Sequence, residues 1–469
     1  MSSTARKKEN LWILTEENPK KIVLESILKY FAKDKGFGFL GRELTILPIL
    51  DEEKCFDFTY EVIGFECPKV KHVYIKTVSG YSSFVDYLIF YQERQPQAAD
   101  IPLYAIEETK TDDSESRNTG VFQRCSKFVF IHHYYPSIKA IMLYSLQIEQ
   151  KEKPSETYIL GTRLLLTMGV EILGKKLDKS IFKPFESIEE ILSFKDRMRK
   201  PPKGNVPITI TKTDSEIRIS GRLYKKGLIG HDPNIGTLSI ISAVLRKLGW
   251  NKRIKIVNHG LQQSHVKKGN KFVCLANMLN MELDNLYVPV AQFPADYWHY
   301  DMKSEKLATI FLHIIVENFT ESYSIFDNHA GCEKGYFQTS QGEHIPLKKY
   351  SDRNAYKAGD RSKIIAIPDL VLLDIKSKES ILIEGKQYAC RRRGIKELNN
   401  YDSFTNCYLN EYYPEFKVVK TLVLFGGKKE EIIEVEVGFL LNKKGKLVLG
   451  IKAPNLFKQA IKNLLDYWA

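Results

Sequence analysis

The 469-residue chain lacks most of the features that mark zinc proteins, secreted disulfide scaffolds, membrane spans and nucleotide-binding loops. Its seven cysteines (Cys55, Cys67, Cys125, Cys274, Cys332, Cys390 and Cys407) form no CxxC pair and no cluster with histidine. That spacing excludes a zinc ribbon and a disulfide framework, and it suits a reducing compartment. No run approaches the roughly 18 to 20 apolar residues that cross a bilayer. The first residues, MSSTARKKENLW, are charged and have no apolar centre, so no secretory leader is expected there. The glycines at 227, 230 and 236 precede a helical stretch but fit neither GxxxxGK[ST] nor GxGxxG, and no lysine opens the helix. A soluble, cytoplasmic protein is the expectation.

What is present is a globular composition, 43% apolar and 12% aromatic, over a length that accommodates two or three domains. The formal net charge is +13, which favours a polyanionic partner, nucleic acid being the commonest. Charge alone does not separate DNA from RNA or from a membrane surface.

The most informative stretch is IIAIPDLVLLDIKSKESILIEGKQY, residues 364–388. Two apolar strands are joined by a polar turn; Asp369 stands at the mouth of the first, and the second ends in Glu384-Gly385-Lys386. Alternation puts Glu384 and Lys386 on one face, and hairpin pairing brings Asp369 beside Glu384. Two carboxylates and a lysine converging there suit a hydrated Mg²⁺ and an activated water. Pro368-Asp369 followed by Glu384-Gly385-Lys386, then a helical stretch (394–409) and an apolar strand (418–425), resembles the signature of the PD-(D/E)XK nuclease superfamily, which includes most type II restriction endonucleases.

A second, looser version precedes it. FVDYLIFY (84–91) carries Asp86 near its start, and LYAIEETK (103–110) ends in Glu108-Thr109-Lys110. Glu107 competes for the ligand role but faces the other side of the strand from Glu108. Here the first acid follows Val85 and not proline. Both versions are followed by a helix, a Tyr-Tyr-Pro-x-x-Lys tag (134–139 and 412–417) and an apolar strand. The repetition suggests two cores; the alternative is a first core that kept its fold and lost its chemistry.

The fold class expected is therefore α/β: two restriction-endonuclease-like mixed-sheet cores flanked by helices, with a smaller middle module. The segments are 1–200, 201–300 and 301–469. The middle segment offers a helix at 235–248 with a basic end, read either as a DNA-docking helix or as a buried amphipathic one. Beyond it, Lys252, Arg253, Lys255, Lys267, Lys268 and Lys271 alternate with Asn258, Gln262, Gln263 and Asn270. That mix suits duplex reading and equally a solvated basic face. Glu25 and Glu317 lie on helices, where a solvated face competes with a ligand role. Arg391-Arg392-Arg393 forms a cationic patch close to Lys386, whereas the first core has only Arg117 and Arg124.

The resemblance implies that Asp369 and Glu384, and likewise Asp86 and Glu108, hold Mg²⁺, with Lys386 and Lys110 orienting the attacking water. It implies a type II restriction endonuclease on double-stranded DNA. A single chain with two unlike cores suits a monomer cutting an asymmetric site, one core per strand, alongside a cognate DNA methyltransferase. A non-specific or structure-selective nuclease, and a DNA-binding protein with inactive nuclease folds, stay open as alternatives.

Overall fold

The computed structural model describes residues 8–50, 56–80, 83–109, 120–145, 154–198, 208–225, 228–229, 232–329, 335–351, 354, 360–426, 438–441, 447–449 and 454–468. The chain is mixed α/β, as its alternating patterns imply. Its contacts divide it into two units: Met1–Ser79, Gln92–Arg94 and Tyr300–Ala469 in one, Gly80–Tyr91 and Gln95–His299 in the other. This grouping differs from the three consecutive segments expected. The first 79 residues belong with the last third, and the middle segment belongs with residues 95–200. Among the described residues, no helix is long and apolar enough to cross a membrane.

The first unit is built round a mixed sheet whose order is Tyr323–Asp327, Leu370–Asp374, Glu379–Gln387, Lys417–Phe425, Gly438–Leu441 and Leu447–Leu449. The first three strands are antiparallel to their neighbours; Lys417–Phe425 then runs parallel to Glu379–Gln387. All of Leu370–Asp374, and Glu379–Gln387 from Ser380 to Lys386, are buried, which is why these strands read as apolar runs without alternation. The helix Lys306–Phe319 is buried on every side from Leu307 to Val316, so it is an interior helix and not an amphipathic one. An aromatic cluster of Phe326, Phe337, Phe404, Tyr408 and Tyr413 fills another part of the core. Tyr413 belongs to the second Tyr-Tyr-Pro tag and donates to the Gln338 carbonyl at 2.9 Å, so the tag is a packing feature.

The early strands join this unit through specific contacts. Leu40–Leu50, Phe56–Glu66 and Val70–Gly80 form an antiparallel meander, with Glu9–Thr15 parallel to the last. Ile46 N–H donates to Asn318 Oδ1 at 2.8 Å, and Phe56 meets Phe311 at 5.1 Å between ring centroids. Helix Lys21–Lys35 has Lys20 in the cap position with no side-chain bond, and Gly36 closes it at φ 65°.

In the second unit Tyr87–Tyr91 pairs antiparallel with Tyr104–Thr109, which pairs parallel with Lys139–Tyr144 across the helix Gly120–Tyr134. A smaller sheet follows, in the order Met281–Leu283, Arg253–Val257, Glu216–Ser220, Thr209–Lys212, with helices Asp232–Lys247 and Lys271–Met278 as crossovers. The first crossover packs on Gly120–Tyr134, burying Ile235, Leu238, Ile241, Val244 and Leu245. Its basic end is consumed locally, since Arg246 donates to the carbonyls of Leu279, Trp250, Lys252 and Asn280. Of the two readings of this helix, the packing one describes it.

The polar side chains beyond it also have structural partners. Asn258 closes a turn with Leu261, Gln263 bonds both ways with the Tyr287 backbone, and Asn270 caps its helix by accepting from Phe272 N–H. Arg253 forks onto Glu282 and Lys255 faces Asp284. Lys267 and Lys268, by contrast, are exposed and make no ion pair among the described residues.

Helix Asp232–Lys247 sits so close to its neighbour that a Cβ on Gly236 would lie 1.7 Å from the Phe122 carbonyl oxygen. Gly236→Ala is expected to destabilise by about 1–3 kcal/mol or more, because backbone must move. Gly269→Ala, with open space around it, should stay within about 0.5 kcal/mol. Urea denaturation of the two variants checks the contrast.

Candidate functional site

The antiparallel pairing of Leu370 with Ile383 brings Asp369, at the mouth of its strand, opposite Glu384. Asp369 N–H donates to the Ile383 carbonyl at 3.0 Å, and Gly385 N–H donates to Asp369 Oδ2 at 2.8 Å. Strand alternation sends Glu384 and Lys386 to the same face, where they are 4% and 7% exposed. Gly385 between them leaves room for this, since a Cβ there would lie 2.6 Å from Thr309 Cγ2 and 3.3 Å from Asp369 Oδ2.

The helix that follows, Arg391–Asn399, completes the site. Gly394 lets it approach: a Cβ there would meet Leu422 Cδ1 at 2.4 Å and Lys386 Cγ at 2.9 Å. Glu397 on this helix pairs with Lys386 Nζ at 2.9 Å. The Lys386 ammonium also donates to Glu384 Oε1, and the Tyr401 hydroxyl donates to Glu384 Oε2.

Charge is unevenly balanced here. Burial lifts Asp369 to about 6, with Gly385 N–H and Lys386 opposing it and Glu305 and Glu397 adding to it. Burial, then the charge on Asp369, lifts Glu384 to about 8. Burial works against ionised Glu397, but hydrogen bonds with Glu384, Lys386 and Arg393 overcome it and hold that carboxyl near 2. Lys386 rises to about 12 because its bonds to Glu384 and Glu397 outweigh its desolvation. Carboxyls thus outnumber cations, and the site keeps a proton on Glu384 at neutral pH where a cation would otherwise serve.

Among the described residues, no group of three or more His, Cys, Asp or Glu side chains is arranged to hold a metal. A zinc or calcium cage is therefore not the fit. Two carboxylates at one edge suit Mg²⁺, which keeps several of its waters and takes one or two carboxylates from the protein. Asp369 and Glu384 would hold it.

The second unit assembles differently from expectation. Asp86 again stands at a strand mouth, and Glu108 N–H donates to Asp86 Oδ2 at 2.6 Å. Tyr87 pairs with Ile106, so the residue opposite Asp86 is Glu107. Glu107 is 2% exposed and Lys127 Nζ reaches it at 2.7 Å and Asp86 Oδ1 at 3.3 Å. The Glu108 carboxylate projects to the other face, accepting from Tyr87 OH at 3.0 Å and Ser145 Oγ at 2.5 Å. The structure therefore does not bring Glu108 together with Asp86, because the strand register is one residue off the tripeptide. Lys110 and Arg117 lie outside the described residues. Arg124 Nε donates to the Glu108 carbonyl at 3.1 Å and stands 3.5 Å from Glu107.

Of the arginine patch, Arg391 lies 4.4 Å over the Tyr388 ring and Arg393 pairs with Glu397 at 2.8 Å. Arg392 is exposed and makes no hydrogen bond or ion pair among the described residues. Glu25 pairs with Lys29 on an exposed helix face, and Glu317 is tied to His313 and Ser324; neither reaches Asp369. Glu305, Glu397, Tyr401, Glu107 and Lys127 complete the two clusters, and only Glu107 was signalled by sequence. No family model, curated protein or solved structure matches the chain.

Asp369 and Glu384 bind protons more tightly in the folded chain than ordinary carboxyls do. Their contribution to stability is complete below their ordinary values of 3.8 and 4.5, and it is lost as pH rises through about 6 and about 8. Glu397, shifted the other way, loses its contribution only as pH falls towards about 2. Without divalent ion, wild type should lose stability between pH 4.5 and 8, and Glu384→Gln should lose less. Denaturation midpoints across that range, read as the difference between the two proteins, check it.

Proposed function

We propose that this chain is a Mg²⁺-dependent nuclease of the PD-(D/E)XK kind, acting on double-stranded DNA as a type II restriction endonuclease. The observation that carries the reading is the convergence of Asp369, Glu384 and Lys386 at one strand edge. The net charge of +13 fits a polyanionic substrate.

Bound Mg²⁺ would lower the pKa of a water and offset negative charge growing on the phosphate. The chain's own residues do the rest. Asp369 is fixed by Gly385 N–H, and Glu384 by Tyr401, so neither carboxylate has to be ordered when substrate arrives. Lys386, fully protonated and anchored between Glu384 and Glu397, presents a fixed positive charge to the phosphate and a donor to the attacking water. Arg392, exposed on the adjoining helix, is free to take a neighbouring phosphate oxygen.

The same reading supplies the finer expectations. The two mixed sheets are two nuclease-like cores, the protein acts in the cytoplasm as a monomer on an asymmetric sequence, each core cuts one strand, and a cognate methyltransferase protects the host. A phage DNA digest tests the reading. Discrete bands that require Mg²⁺ support it; a smear indicates a non-specific nuclease; intact DNA under both conditions sinks it. Lys386→Met should slow cutting of one strand by about 10²–10³-fold, the cost of removing one preorganised donor. Strand-resolved sequencing should then show nicks confined to the other strand.

A further inference from the structure

We propose that the second unit has a hydrolytic centre of its own, made of Asp86, Glu107 and Lys127, whose lysine comes from a helix and not from the acid-bearing strand. The chemistry assigned to it rests on the nuclease reading above; the choice of residues rests on geometry.

The two units place equivalent atoms in equivalent positions. Each has an acid just before a strand, and that acid's Oδ2 accepts from the N–H one residue past the opposing glutamate: Gly385 for Asp369, Glu108 for Asp86. Antiparallel pairing then fixes the partner acid as Glu384 in one unit and Glu107 in the other. Both glutamates are almost fully buried. Each also receives a donor from a residue beyond the end of its strand. In the first unit that donor is the Tyr401 hydroxyl, while Lys386 comes from the strand two residues beyond Glu384. In the second unit the position two beyond Glu107 is Thr109, which has no charge. There the donor is Lys127, on helix Gly120–Tyr134. The ammonium has changed elements while keeping its contact with the glutamate.

One buried glutamate and one partly exposed aspartate at adjoining strands form the donor set found in the first unit, so the same largely hydrated divalent ion fits. The step is hydrolysis. A bond forms from a water oxygen to phosphorus, the ester P–O bond breaks with its electron pair staying on the departing oxygen, and the water's proton is passed to that oxygen through solvent. No oxidant or reductant is involved.

The test counts ions on the full chain without DNA, by calorimetric titration with Mn²⁺ at neutral pH. Wild type should take up about two ions per chain and Glu107→Gln about one, whereas Glu108→Gln, altered on the other face of the strand, should keep both. Asp86→Asn serves in place of Glu107→Gln if that variant does not fold. Uptake of a single ion by wild type, or loss of an ion on Glu108→Gln but not on Glu107→Gln, overturns the proposal. A second readout uses plasmid nicking in a Lys386→Met background: adding Lys127→Met should abolish the residual nick at least 10-fold, and persistence of that nick overturns the lysine's role. If wild type leaves DNA intact with Mg²⁺, the nuclease reading fails, while the ion count still decides whether the second centre exists.

Discussion

The hydrogen bond from Gly385 N–H to Asp369 Oδ2 is the contact on which the arrangement of the first unit's acid cluster depends. It is made possible by strand register and by the absence of a side chain at 385. Through it, an acid outside the regular ladder is locked beside Glu384 without an ion to hold it there. Lys386 and Glu397 then close the opposite side. Removing any one of these partners leaves a buried charge without its complement, which costs more than an exposed ion pair returns.

The two clusters differ in how they balance charge. Around Asp369 and Glu384, the further carboxyls Glu305 and Glu397 push towards excess negative charge, and protonation relieves it. Around Asp86 and Glu107, Lys127 stands close to both acids and Arg124 close to Glu107. The first cluster thus carries an excess of carboxyls, whereas the second sets its acids against cations.

Much of the first cluster was legible because a short polar turn between two apolar runs makes a hairpin, and side chains two apart in a strand share a face. Asp369, Glu384 and Lys386 follow from that alone. The second cluster was misread by one residue. Glu108-Thr109-Lys110 and Glu107-Glu108-Thr109 both satisfy the two-residue spacing, and only the pairing of Tyr87 with Ile106 decides between them. The polar connection at 92–102 hides that register, since its length does not fix a turn type. Lys127 and Tyr401 were illegible for a different reason: each lies 17 or more residues from its glutamate, Lys127 on a helix and Tyr401 in the turn after one, with no local pattern to distinguish it. Beside the smaller sheet, Asn258, Gln263, Asn270, Arg253 and Lys255, which resemble part of a duplex-reading surface, are committed to turns, a cap and ion pairs. Composition cannot tell those uses apart.

The discontinuity of the first unit has a consequence for biosynthesis. Residues 1–79 leave the ribosome early, yet their packing partners lie beyond residue 300. At about 5–20 residues per second, the stretch from residue 79 to Asn318 takes roughly 12 to 48 s. Once residue 299 has been made, the second unit has every residue it needs to close its own core, while the early strands still have no Phe311 or Asn318 to settle against. Asp369, Glu384 and Lys386 are made later still, so the nascent chain goes without this acid pair until the second unit has had time to close.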